Sequence, residues 1–293
     1  VNVFLSDGVD QNWSETGPSS RSRSLAVSVA ADDLRSIHQI QQEWFDQLPY
    51  RTEAQFDALW GTTARPAAKR SLAPRGPLQK KVVGWHPYWM GTAYQRYDYS
   101  SLSTIAYFSY EVNPTNGSYS SLRSWDTTPL IAWGASNGVK VVLTATLFGN
   151  SSCQLLLNNA TSRQNLIDSL VTVVSNRNGG GVNIDFEGIS DSTLKANVTL
   201  FLSNLTVRFH RDIPGSEVSV ALPAVDWNNV FDMAALDSFL DYAIIMGYDY
   251  SWKGGPTAGP VAPLQASATF GSLSVSNSIN TYLGKGIRAS KLL

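Results

Sequence analysis

The chain has 293 residues, 43% hydrophobic and 15% charged, room for one core of about 200–250 residues plus an appendage. A net charge of −1 excludes a global pull toward nucleic acid or an anionic membrane surface, and no run approaches the ~20 apolar residues of a membrane span. The single Cys153 excludes an intramolecular disulfide and neither supports nor excludes export.

Residues 1–60 read as a separate N-terminal segment. Ala30 to Leu48 has helical character, with Leu34, Ile37 and Ile40 on one side and Trp44 and Phe45 beyond; Thr52 to Trp60 reads as a second short helix. The chain opens on Val rather than Met, as after removal of an export leader, so an extracellular or cell-envelope location is expected. Residues 61–81 carry Pro66, Pro74, Pro77 and six Lys/Arg with no acidic residue, the composition of an exposed basic linker.

Residues 82–293 alternate apolar runs with longer mixed segments. Strands are predicted at Val82–Trp85, Ile105–Tyr110, Val139–Leu147, Val182–Glu187, Val218–Pro223 and Ala243–Asp249. Helices are predicted at 125–137, 162–176, 192–211 and 231–240. Repeated strand-then-helix units imply a parallel sheet with right-handed crossovers. An open doubly wound sheet fits that alternation too. However, Gly179-Gly180-Gly181 precedes a strand, whereas a phosphate-binding fingerprint follows one. The (β/α)8 TIM barrel is therefore the expected fold, α/β in class. Ser290-Lys291-Leu292-Leu293 reads as the opening of a seventh strand, so the barrel is expected to be incomplete in this chain.

The most informative run is Gly181-Val182-Asn183-Ile184-Asp185-Phe186-Glu187. Val182, Ile184 and Phe186 point one way; Asn183, Asp185 and Glu187 point the other. A strand face lined by an amide and two carboxylates is costly to bury without water, a ligand or a partner charge. Carboxyls two apart on a strand sit roughly 6.6 Å apart at Cα, suited to one site with split pKa values. The plain alternative is a half-exposed strand with its polar side in solvent. Other strand ends carry Trp85, His86 and Trp89; Tyr110 and Glu111; Asp226 and Trp227; and Met246, Tyr248 and Asp249. Barrel enzymes keep their catalytic residues at these ends. Asp226 also reads as a helix N-cap, and His86 equally as a structural histidine. His38, His86 and His210 lie far apart with no metal-ligand spacing, so neither metal nor other cofactor is expected. Nine Trp and twelve Tyr suit stacking on sugar rings, although core packing accounts for more than half.

The signature strand resembles that of glycoside hydrolase family 18, the chitinase-like family, whose pattern is Asp-x-x-Asp-x-Asp-x-Glu. Those positions fall on Gly180, Asn183, Asp185 and Glu187, so the last two match and the first two depart. Met246-Gly247-Tyr248-Asp249 matches the family's Met-x-Tyr-Asp, and Val83-Gly84-Trp85 with Trp89 resembles its first strand. Gly254-Gly255-Pro256 and the following Gly/Pro run resemble its loop after strand six. Thr144-Ala145-Thr146 replaces the family's Ser-x-Gly-Gly. The resemblance implies Glu187 as general acid, Asp185 orienting the substrate acetamide and Tyr248 bonding its carbonyl. It also implies Asp249 as a contact to the sugar near the cleavage point; Asn183, Met246, Trp85, Trp89, Tyr110, Asp226 and Trp227, placed at strand ends, complete the candidate sugar contacts.

The chain offers one acid and no second enzyme nucleophile, which suits the substrate-assisted, retaining route of this family. The expected partner is an N-acetylglucosamine-containing polysaccharide: chitin first, peptidoglycan second, protein-linked N-glycan cores third. A non-hydrolytic lectin on the same barrel is the competing class, disfavoured by the retained Glu187; an inactive scaffold is the third.

Overall fold

The computed structural model describes residues 35–61, 78–252 and 258–293. Leu34 with the rest of 1–34, most of the basic linker and Gly254-Gly255-Pro256 lie outside the described residues. No helix among the described residues is long and apolar enough to cross a membrane.

Among the described residues, seven strands form one curled sheet: β1 (Val83–Pro87), β2 (Thr104–Val112), β3 (Tyr119–Ser121), β4 (Lys140–Phe148), β5 (Gly181–Glu187), β6 (Glu217–Leu222) and β7 (Tyr242–Ile245). Six are parallel in the order β1-β2-β4-β5-β6-β7, and β3 pairs antiparallel with β2. Between them run α3 (Leu130–Ser136), α4 (Asn150–Leu157), α5 (Ala160–Ser175), α6 (Lys195–Asp212) and α7 (Met233–Phe239), and α8 (Val275–Gly284) follows β7. The result is a partial TIM barrel. Beyond β7 the chain end adds one more rung: Leu292 bridges Ala243 in parallel, as the predicted strand opening at 290–293 requires.

The outward residues of β5 pack on the helix layer, with Phe186 stacked on Phe201 of α6 at 5.7 Å. The inward residues form register layers inside the half-barrel. Thr144, Asn183 and Ser219 share one layer, and Thr146 and Asp185 the next. At the base, the Glu217 carboxylate accepts from Lys81, Lys140 and Thr104 at 2.6, 3.0 and 3.0 Å. Burial would raise its pKa, but the two ammonium groups hold it below the usual carboxylate range.

Two predicted elements end elsewhere for local reasons. The helix expected from residue 125 starts at Leu130, because Pro129 biases the preceding residue away from helix. The strand expected to reach Asp249 stops at Ile245; Asp249 takes φ +58°, outside extended backbone. Helices α4 and α8 were not expected. Cys153, Leu156 and Leu157 are the buried stripe of α4, spaced i, i+3 and i+4.

The N-terminal segment supplies α1 (Ile37–Asp46), capped by Ser36, and α2 (Glu53–Trp60), opened by a Thr52–Gln55 capping box. Both lie against the barrel. Phe56 is 2% exposed, Trp60 Nε1 donates to the Trp89 carbonyl, and Asp57 accepts from Thr92 N and Oγ1. The expected apolar side of α1 faces outward instead: Ile37, Ile40 and Trp44 are exposed. Phe45 is the one side chain of α1 that is buried, worth about 2–3 kcal/mol by transfer.

Candidate active site

Gly181 opens β5 at φ +142°, where an added Cβ would stand 2.0 Å from the Glu217 carbonyl oxygen. Only glycine lets β5 enter so close to β6. The strand then carries its three polar side chains inward, each buried: Asn183 and Asp185 at 0 and 1% exposure, Glu187 at 9%. Asn183 Oδ1 accepts from Ser219 Oγ at 2.9 Å. Its Nδ2 and both Asp185 oxygens have no hydrogen-bond partner among the described residues. A buried carboxylate without a hydrogen bond is expensive, and burial with the neighbouring Glu187 raises the Asp185 pKa, His38 opposing.

One imidazole joins the site from outside the barrel. His38 Nδ1 is 2.9 Å from Glu187 Oε1 and 3.7 Å from Asp185 Oδ2, and its Nε2 is 3.0 Å from the Tyr248 hydroxyl. Glu187, Asp185 and Tyr248 therefore converge on one hollow, which the His38 imidazole occupies. Burial lowers the His38 pKa, but the Glu187 hydrogen bond and the carboxylates of Asp185, Glu187 and Asp249 outweigh it, lifting the ring to about 9. Burial and the same three carboxylates raise the Tyr248 phenol. Asp249 is raised by burial, with His38 opposing. The cluster His38, Asp185 and Glu187 has ligand atoms within 4.8 Å of one another and could hold a metal ion. Ligands of a tetrahedral zinc stand roughly 3.3 Å apart; the 2.9 Å approach of His38 to Glu187 is instead a direct hydrogen bond. Spacing along the sequence could not reveal this cluster, since His38 lies 149 residues before Glu187.

Other predicted contacts divide. Trp89 is 6% exposed at the mouth, its face covered by Phe45 at 4.5 Å and 9° between planes. Trp85 shares a register layer with Ala106 and Val142, below the layer of Asn183. Met246 continues from β7, its N–H bonded to the Leu222 carbonyl. Tyr110 turns to the helix side, its hydroxyl bonded to Ser169 of α5. Asp226 accepts from Val230 N, Phe231 N and Lys285 Nζ, tying a loop, while α7 is capped by Asp232. Trp227 is 74% exposed. His86 is fully buried beside Tyr97, its pKa lowered to about 4 by burial, and serves the core. A cavity of about 350 Å³ beside the mouth is lined by Phe56, Tyr88, Tyr107 and Arg123 and does not include Glu187.

The family described as "Glycosyl hydrolases family 18" matches residues 81–293. The chain is 30% identical over 170 residues to the "Putative sporulation-specific glycosylase YdhD" of Bacillus subtilis, covering 55% of this chain and 39% of that protein. It is 28% identical over 148 residues to Endochitinase 1 of Metarhizium robertsii, covering 46% and 34%. Among solved structures, Group II chitinase catalytic domain 2 of Ostrinia furnacalis superposes with a TM-score of 0.61 at 21% identity, covering 73% of this chain and 63% of that one. The chain thus spans less than two thirds of each of these proteins.

Proposed function

Because the chain belongs to glycoside hydrolase family 18, we propose that it is a retaining glycosidase cleaving β-1,4-linked N-acetylglucosamine polymers, chitin foremost. The observation that carries this reading is the hollow bounded by Glu187, Asp185 and Tyr248, each within 3.7 Å of one imidazole. In the reading, a sugar bearing a 2-acetamido group takes that hollow.

Glu187 gives its proton to the glycosidic oxygen, so the aglycone leaves as an alcohol. The acetamide carbonyl oxygen attacks the anomeric carbon from the opposite face, forming a bicyclic oxazolinium. Asp185 accepts the acetamide N–H and balances the positive charge, a role suited to a buried carboxylate with two free acceptors. The Tyr248 hydroxyl donates to the acetamide carbonyl and aims it. Water, deprotonated by the Glu187 carboxylate, then opens the ring from the leaving-group side, so configuration is retained. Asn183, where the family has a carboxylate, supplies a donor in place of a second acceptor.

A peptidoglycan-directed N-acetylglucosaminidase is the second reading, favoured by the relative named as a sporulation-specific glycosylase. A polymer substrate of either kind suits an extracellular or cell-envelope protein. The deciding experiment is hydrolysis of β-1,4-linked N-acetylglucosamine oligomers, and in parallel of purified cell-wall glycan, by the full chain and its Glu187→Gln variant. Cleavage lost in the variant supports the reading; binding without cleavage by either protein moves it to a lectin.

A further inference from the structure

Helix α1 sits where a polysaccharide would have to lie. At its N-terminal end, His38 fills the hollow, bonded at once to Glu187 Oε1 and the Tyr248 hydroxyl at 2.9 and 3.0 Å. Two turns later, Phe45 lies flat on Trp89, with centroids 4.5 Å apart, as a pyranose ring lies on an aromatic platform. A ring whose Nδ1 is at hydrogen-bond distance from Glu187 and whose Nε2 is at hydrogen-bond distance from Tyr248 leaves no volume there for an acetamido sugar. These are two contacts of different chemistry, one polar and one stacking, made by one face of one helix.

Beyond His38 and Phe45, α1 meets the barrel through Asp46, which accepts from the Tyr88 hydroxyl and pairs with Arg123. Its apolar residues Ile37, Ile40 and Trp44 face solvent. Helix α2 is anchored on its own, through Glu53 on Thr128 and Asp57 on Thr92. Withdrawal of α1 gives up the ring contacts of Phe45 with Phe56 and Trp60 but leaves these polar anchors of α2 in place.

We propose that α1 is an internal ligand of the sugar site that competes with polysaccharide: His38 takes the place of the acetamido group and Phe45 that of a neighbouring sugar ring. Substrate enters when α1 leaves, so the segment holds the enzyme closed and sets how strongly a chain must bind to open it. The inference rests on the reading of the hollow as the acetamido-sugar site.

The test uses the full chain and tri-N-acetylchitotriose as probe. Binding is measured calorimetrically for the parent, His38→Ala, His38→Gln and Phe45→Ala, with thermal melts to confirm folding. Histidine-labelled parent protein is titrated with the same sugar by NMR. If nine molecules in ten are closed, removing the His38 contacts tightens binding by ~tenfold, because apparent affinity scales with the open fraction. The His38 ring signals move to those of a solvated histidine as the parent saturates. Unchanged or weaker binding in both His38 variants, with ring signals unmoved in the saturated parent, overturns the proposal while leaving the sugar site standing. Failure of parent and variants alike to bind or cleave any N-acetylglucosamine oligomer or cell-wall glycan overturns the sugar site and, with it, the proposal.

Discussion

Nδ1 of His38 lies 2.9 Å from Oε1 of Glu187, so a residue of the N-terminal segment touches the proposed acid of a barrel strand 149 positions later. The contact brings the segment into the proposed active site. Any account of Glu187 must include what approaches it from outside the barrel as well as its neighbours on β5.

Glu187→Gln keeps the shape of the side chain and removes its proton. Loss of a general acid costs typically 10²–10⁴ in rate. Hydrolysis of N-acetylglucosamine oligomers is expected to fall by at least ~10²-fold, with oligomer binding retained. Steady-state kinetics beside calorimetric binding checks both halves. Undiminished turnover would sink the mechanism.

Tyr248→Phe removes the hydroxyl that, in the proposed mechanism, aims the acetamide, and leaves the ring. A donor acting on charge that develops during reaction contributes on the order of 10²–10³ in kcat. The variant should therefore lose kcat more than KM. A rise in KM alone would make Tyr248 a simple binding contact.

The barrel and its signature strand were legible because their signals are local and periodic. Alternation along Val182–Glu187 put two carboxylates on one face, and the register with Thr144, Thr146 and Ser219 confirms an inward polar column. Tyr110 was misread for a definite reason. The register of β2 against β4 shifts between Phe108 and Tyr110, so Phe108 pairs with Thr144 while Tyr110 pairs with Ala145. That irregularity turns Tyr110 to the helix side, and simple alternation carries no sign of it. His38 was invisible for another reason: a lone histidine on a short amphipathic helix gives no hint of what it touches. Asp226 carried the strand-end signal but serves backbone N–H groups and Lys285.

The His38 ring should titrate near pH 9 rather than near its ordinary 6.5. Burial works against the charge, while the Glu187 hydrogen bond and the carboxylates of Asp185, Glu187 and Asp249 work for it; the Tyr248 hydroxyl also meets the ring. A folded-state pKa above the unfolded one means the charged ring stabilises the docked form. That stabilisation is fully present below about pH 6.5 and is lost as pH rises through about 9. Histidine NMR across pH 5–10 reads the midpoint directly. A midpoint at or below the ordinary value would show that the ring is not held among these carboxylates.

Gly181→Ala tests whether the site depends on how closely β5 enters beside β6. At φ +142°, an added methyl would stand 2.0 Å from the Glu217 carbonyl oxygen and 2.6 Å from its nitrogen, backbone atoms held by the sheet ladder. Neither partner is the mobile end of a side chain, so β5 must shift or unpair at its start. A left-handed position closed off by backbone belongs to the severe class of substitutions, above about 3 kcal/mol. Denaturant unfolding should show that loss. A shift of β5 also carries Asp185 and Glu187 with it, so any residual folded enzyme should be impaired in kcat, since roughly 1 Å of misplacement costs on the order of 10²-fold. An alanine variant of near-parental stability would mean that β5 tolerates a backbone it does not adopt here, and the close entry beside Glu217 would then not be what positions the two carboxylates.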